Sequence, residues 1–256
     1  MQRVVAIIPA RFGSSRFPGK PLALILGKTL LQRTLEQARK AHSLDRILVA
    51  TDDVRIRDHV LELGAEVVMT PSTCRTGTDR ILAACHATPS LEDADVVVNI
   101  QGDEPLLDPA IVDAAVSALL SSTAVMSTPC CPLQSEQEYL SRHVVKCVTN
   151  LQGQALYFSR APLGHFSAAQ GTTPSIHRHI GLYAYRRSFL ETYGTLPLSP
   201  LQLAEDLEQL KVLEHGYSIQ VVSVTHSSIG VDVPEDIHRV ESVLSWNQST
   251  SSLPEA

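Results

Sequence analysis

Apolar residues fall into short runs along the chain, each too brief for a globular helix and each closed by a loop of charged or small residues. The first begins at Val4 and breaks off into a loop that carries Arg11, Arg16 and Lys20. Val- and Ile-rich runs of this length read as central strands of a parallel sheet. Arg46 to Thr51, Ala65 to Met69, Asp95 to Gln101, Val125 to Cys131 and Ser218 to Val224 read the same way. Between them the period changes to a helical one. Thr29 to Ala41 places Leu30, Leu31, Thr34, Leu35 and Ala38 on one face; Val54 to Leu63 is helical up to Gly64; Ile81 to His86 and a segment from Pro109 follow. Strand and helix alternating at this pace predict a doubly wound α/β sheet.

From Ala124 the pattern shifts. Val144 to Val148 and Ala155 to Ser159 flank Asn150 to Gly153, a hairpin signal, and His177 to Tyr185 alternates as one further strand. An antiparallel insertion over about 125–197 on a parallel core is the expected result. Ser199-Pro200-Leu201-Gln202 is a capping box that should start a helix running to His215. Leu203, Leu207 and Leu210 form its apolar stripe, with Glu205, Glu208 and Gln209 opposite. A closing helix to about Trp246 completes a single domain over 1–247, and the Ser- and Thr-rich 248–256 reads as a flexible tail.

Composition narrows the partners. A net charge of −6 over 256 residues leaves no basic stripe for nucleic acid, and no apolar stretch approaches the ~20 residues of a membrane span. Five cysteines, with no CxxC pair and no secretory segment before them, predict reduced thiols in a cytoplasmic protein.

The candidate chemistry starts in the first loop. Gly13 and the Gly19-Lys20 pair suggest a phosphate cradle, but five residues separate the glycines where the Walker pattern has four. Pro21 also stands where a magnesium-binding hydroxyl would be. Pro18 and Pro21 predict an extended, wrapping loop. Its three cations suit a polyphosphate, although a solvated basic loop has the same charges. Thr76-Gly77-Thr78-Asp79-Arg80 puts small residues at a helix start, where backbone amides can meet a phosphate or simply be capped. Gly102-Asp103-Glu104 places two carboxylates at a strand end, a ligand set for magnesium or a cap for the helix from Pro109. His177 and His179 share one side of a strand without a supporting ligand cluster, so a polar sugar pocket explains them better than a metal.

IPARFGSSRFPGKPL resembles the amino-terminal signature of the sugar-activating cytidylyltransferases, particularly those for 3-deoxy-D-manno-octulosonate (Kdo). QGDEP matches the pattern of that group residue for residue, HRHIG favours it over relatives using sialic acid, and Thr76 and Asp79 are conservative departures from Ser-Gly-Thr-Glu-Arg. In GVDVP, Val233 replaces a customary Thr while Asp232 is retained. The resemblance runs nearly to Trp246. It implies a Rossmann-like nucleotidyltransferase fold (GT-A-like) with a mostly parallel central sheet, and transfer of CMP from CTP to Kdo by direct in-line attack, with release of pyrophosphate. It also implies a homodimer pairing through the insertion. Arg11, Lys20, Asp103 and Asp232 become catalytic, Arg16 a possible third cation, and Asp103 and Asp232 the ligands of Mg2+. Ala10, Arg11, Lys20, Gly77, Arg80 and Gln101 fall on the nucleotide. Gln101, Arg160, His179, Tyr183, Glu208 and Gln209 fall on the sugar. A binding module that senses nucleotide without turnover is the rival from another class; both aspartates and the cationic loop argue against it.

Overall fold

In a computed structural model, residues 2–14, 16–164 and 176–251 are described, with side chains to Trp246. The chain opens with β1 (Val4–Ala10), followed by the cationic loop and a small ribbon, β2 (Leu24–Ile25) and β3 (Lys28–Thr29). Next come α1 (Leu30–Ala38), capped by the Thr29 hydroxyl, then β4 (Arg46–Thr51), α2 (Val54–Glu62) and β5 (Glu66–Met69). Gly64, at φ 62°, makes the left-handed turn that ends α2. Then follow α3 (Gly77–Ala87), β6 (Val96–Asn99), α4 (Pro109–Leu120) and β7 (Met126–Pro132).

The later part adds α5 (Glu136–Leu140), β8 (Lys146–Thr149), β9 (Ala155–Ser159), β10 (Ile176–His179) and β11 (Tyr183–Arg186). After these lie α6 (Arg187–Thr195), α7 (Pro200–Glu205), α8 (Glu208–Glu214), β12 (Ile219–Ser223) and α9 (Asp236–Ser251). Within the described residues ten strands form one sheet in the order β5-β4-β1-β6-β11-β7-β10-β8-β9, with β12 alongside β7. β5, β4, β1 and β6 pair in parallel, as do β7 and β12; the ladders through β8, β9, β10 and β11 are antiparallel.

Burial on both faces explains the unbroken apolar run of β1. Ala6 and Ile8 pack among Leu31 and Leu35 of α1, Ile56 of α2 and Val112 of α4. Val5 and Ile7 pack on the other face among Ile81 of α3, Phe189 of α6 and Leu210 of α8. None of the four strand residues is exposed, and each large one contributes roughly 1.5–3 kcal/mol on burial.

Four local expectations change. The segment from His177 to Tyr185 is two strands, because the chain bends at Ile180–Leu182. β10 pairs with β7 and β8, while β11 pairs with β7 and β6. The helix from Pro200 breaks at Asp206, which is left-handed at φ 53°, and restarts at Glu208. The first loop is not wholly extended: Lys20–Leu22 forms one 3-10 turn, with Pro21 at its start. The closing helix continues to Ser251, into the segment read as a tail. The rest of that tail, 252–256, lies outside the described residues, as do Ser15 of the loop signature and 165–175 of the insertion. Among the described residues no helix is long and apolar enough to cross a membrane.

Candidate active site

A cleft of about 690 Å³ opens beyond the carboxyl ends of β1 and β6, where ligands of open α/β sheets bind. On one side lie Pro9 to Arg11, Ser14, Arg16 and Lys20; Cys74 to Gly77 and Arg80 form a second wall; Gln101 to Asp103, Arg160, Glu208 and Asp232 are also part of the lining. The two strand ends approach closely because Gly102 has no side chain. A Cβ there would stand 3.0 Å from the Pro9 carbonyl oxygen.

Lys20 joins the acidic elements. Its ammonium lies 2.7 Å from Asp103 Oδ2 and 3.8 Å from Asp232 Oδ1, and donates to the Val231 carbonyl at 2.7 Å. The Val231 amide in turn donates to the Asp103 carbonyl at 2.9 Å, so the two acid-bearing loops are tied through backbone as well as charge. Arg16 reaches Asp232 at 3.3 Å. Asp232 remains open to solvent, with 62% of its side chain exposed against 15% for Lys20. Two carboxylates gathered on one cation match the donor set that magnesium takes, which is one or two carboxylates completed by substrate phosphates and water. Among the described residues no group of three or more His, Cys, Asp or Glu forms a self-sufficient metal cage.

The second wall is the amino end of α3. Thr76 caps it by accepting from the Asp79 amide at 3.0 Å, and Glu208 accepts from the Thr78 amide at 3.2 Å. The helix terminus and Glu208 are therefore mutually stabilised. Arg80 is buried, donating to Thr70 Oγ1 at 2.7 Å and pairing with Asp52 at 3.2 Å. Its cation lies fixed under the cleft.

The cytidylyltransferase family profile matches residues 5–221. The chain belongs to the cytidylyltransferase family. It is 52% identical over 241 residues to the 3-deoxy-manno-octulosonate cytidylyltransferase of Protochlamydia amoebophila, covering 93% of each chain. It is 50% identical to the enzyme of that name from Syntrophotalea carbinolica, covering 94% of this chain and 98% of the relative. Among solved structures, CMP:2-keto-3-deoxy-manno-octonic acid synthetase complexed with CTP superposes with a TM-score of 0.89 at 35% identity, covering 96% of this chain and all of that one.

On this cytidylyltransferase scaffold, Ala10, Arg11, Arg16, Lys20, Gly77, Arg80, Gln101, Asp103, Arg160, Glu208 and Asp232 all meet at the cleft. His179, Tyr183 and Gln209 do not line it. They form a buried layer in which the Tyr183 hydroxyl donates to Gln209 Oε1 at 3.1 Å and His179 Nε2 shares a hydrogen bond with Thr128 at 2.9 Å. Burial pulls the His179 imidazole down to about 3 and pushes the Tyr183 phenol well up. Gln209 was expected on a polar helix face. Restarting the helix after Asp206 turns it inward instead, and it is 1% exposed.

Glu104 also parts company with Asp103. It turns away to accept from the Ser228 hydroxyl, and burial, with repulsion from Asp103, raises its carboxyl to about 7. Arg75 and Lys211 line the cleft without having been expected there. Arg75 directly precedes the Thr76 cap and was legible as its neighbour. Lys211 lay hidden in an apolar stripe; its ammonium donates to the Tyr193 carbonyl at 2.9 Å and sits over the Tyr193 ring at 4.2 Å.

Proposed function

We propose that this chain transfers CMP from CTP to Kdo, giving CMP-Kdo and pyrophosphate, and so activates the sugar for lipopolysaccharide assembly. The observation that carries the reading is the convergence of Lys20, Asp103 and Asp232 in one cleft, in a chain about half identical to enzymes named for that reaction. Chemistry of this kind needs positive charge on the departing phosphates and a weakened proton on the attacking hydroxyl. The sugar hydroxyl forms a bond to the α-phosphorus as the bond to the bridging oxygen breaks. Pyrophosphate carries away the electron pair, and the hydroxyl proton passes to solvent.

Arg11 and Lys20 face the leaving pyrophosphate, with Arg16 at the rim. Asp103 and Asp232 would hold magnesium, which when bound neutralises phosphate oxygens and polarises the attacking hydroxyl. Gly77 and Arg80 support the nucleotide, and Gln101, Arg160 and Glu208 present polar groups to the sugar acid. His179, Tyr183 and Gln209 complete the sugar contacts from the buried layer next to Glu208. The chain pairs with a second copy through the antiparallel part, where Leu151 is fully exposed and Leu156 is 60% exposed. All five cysteines are free thiols, which suits the cytoplasm.

Pyrophosphate release from CTP with Kdo, compared with CTP plus sialic acid and UTP plus glucose 1-phosphate, tests the assignment. Kdo with CTP should be far faster, and equal rates would reject it.

A further inference from the structure

Lys146 is the first residue of β8 and is completely buried. An ammonium has three hydrogens to place, and each finds a backbone carbonyl: Ser141 at 2.8 Å, Val144 at 2.7 Å and Arg160 at 2.6 Å. The first two belong to the turn before β8. The third belongs to a residue of the cleft wall.

Arg160 is fixed on its other side by an opposite charge. The Glu205 carboxylate accepts from the Arg160 amide at 2.8 Å and from the Ser159 hydroxyl at 2.7 Å. The Glu205 carbonyl accepts from Arg160 Nε at 2.9 Å, while the two terminal nitrogens make only 3.4 Å contacts to the Arg142 and Asp206 carbonyls. Thus the backbone of Arg160 is held firmly at both its polar groups, and the ends of its fork are held loosely. A guanidinium so placed can give its terminal N–H groups to an incoming carboxylate while its root stays fixed.

We propose that Lys146 and Glu205 are a positioning pair that aims Arg160 at the carboxylate of the sugar acid. The inference rests on the cytidylyl-transfer reading above and adds two residues to it, neither of which touches substrate. A charge is required at Lys146 because an apolar side chain of the same length would leave three carbonyls without donors.

The test is steady-state kinetics of the full chain with CTP and Kdo varied separately, in Lys146→Met, Glu205→Gln and Arg160→Ala, alone and combined. Loss of a uniform binding contact should raise the KM for Kdo by roughly tenfold or more while the KM for CTP stays within about twofold and kcat changes little. In the Arg160→Ala background, adding Lys146→Met should leave the Kdo KM where it was, since the group being positioned is gone. Circular dichroism and melting temperature report folding. If Lys146→Met does not fold, Glu205→Gln, which keeps side-chain size, carries the same expectation. An unchanged Kdo KM, equal rises for both substrates, or losses that add to Arg160→Ala would overturn the pair. Absence of wild-type turnover with CTP and Kdo would instead remove the underlying reading, and this inference with it.

Discussion

Lys20 and Asp103 are in direct contact, Nζ to Oδ2 at 2.7 Å, although one belongs to the loop after β1 and the other to the loop after β6. The contact makes Lys20 a cation shared by the acidic pair, 2.7 Å from Asp103 and 3.8 Å from Asp232. If that cation turns to the departing pyrophosphate during reaction, Lys20→Ala should lower kcat by roughly a hundredfold or more, with a smaller effect on the KM for Kdo. The same substitution removes a competitor for the carboxylates. Mn2+ titrated in the absence of nucleotide should therefore bind Lys20→Ala more tightly than wild type, and weaker binding would contradict the ion-pair argument.

The aspartates should behave as a unit. Asp103→Asn and Asp232→Asn keep side-chain size and remove one charge each, so circular dichroism should be unchanged while activity collapses. If both carboxylates serve one magnesium ion, as proposed, the double substitution should cost little more than either single one. Chelation of divalent ions should abolish wild-type turnover, and activity that survives a chelator would exclude the metal-assisted mechanism.

The parts of this site that were legible in the sequence are those fixed by local chemistry. β1 announced itself because a strand buried on both faces must be apolar throughout, and Gly102 and Asp103 because they directly follow the apolar run from Asp95 to Gln101. The break at Asp206 had no such signal: the stretch Ala204-Glu205-Asp206-Leu207 contains neither glycine nor proline. Its left-handed residue is accompanied by contacts of Arg160, just past the end of β9, with the Glu205 and Asp206 carbonyls 45 and 46 residues further along the chain. Similarly, alternation along His177 to Tyr185 could not show that the chain changes partners at Ile180–Leu182. Both are cases where tertiary contacts override a local pattern.

Gly102 provides a steric test. With a Cβ only 3.0 Å from the Pro9 carbonyl oxygen, Gly102→Ala must push the ends of β1 and β6 apart by a fraction of an ångström. Overpacking of this kind costs about 1–3 kcal/mol. Arg11 and Asp103 sit on either side of the contact, so turnover should fall by about tenfold or more through misplacement alone. A destabilised enzyme with full activity would show that this approach sets the packing and not the site.

His179 gives the pH dependence. Its imidazole is neutral in the folded chain down to about 3, against an ordinary value of 6.5, because it is buried with Thr128 as its hydrogen-bond partner. Between those two values the unfolded chain binds a proton at this position that the folded chain does not, so stability should fall as pH falls through the window. Each pH unit below 6.5 costs up to about 1.4 kcal/mol from this group. The raised Glu104 carboxyl acts in the opposite sense over the same window but is common to both proteins, so the denaturant midpoint of wild type measured relative to His179→Asn, which has no proton to take up, should decline from pH 6.5 to 4.5. The His179 ring resonances should also fail to titrate between pH 8 and 5, and a resonance shift centred near 6.5 would mean that the layer beneath the cleft is open to water.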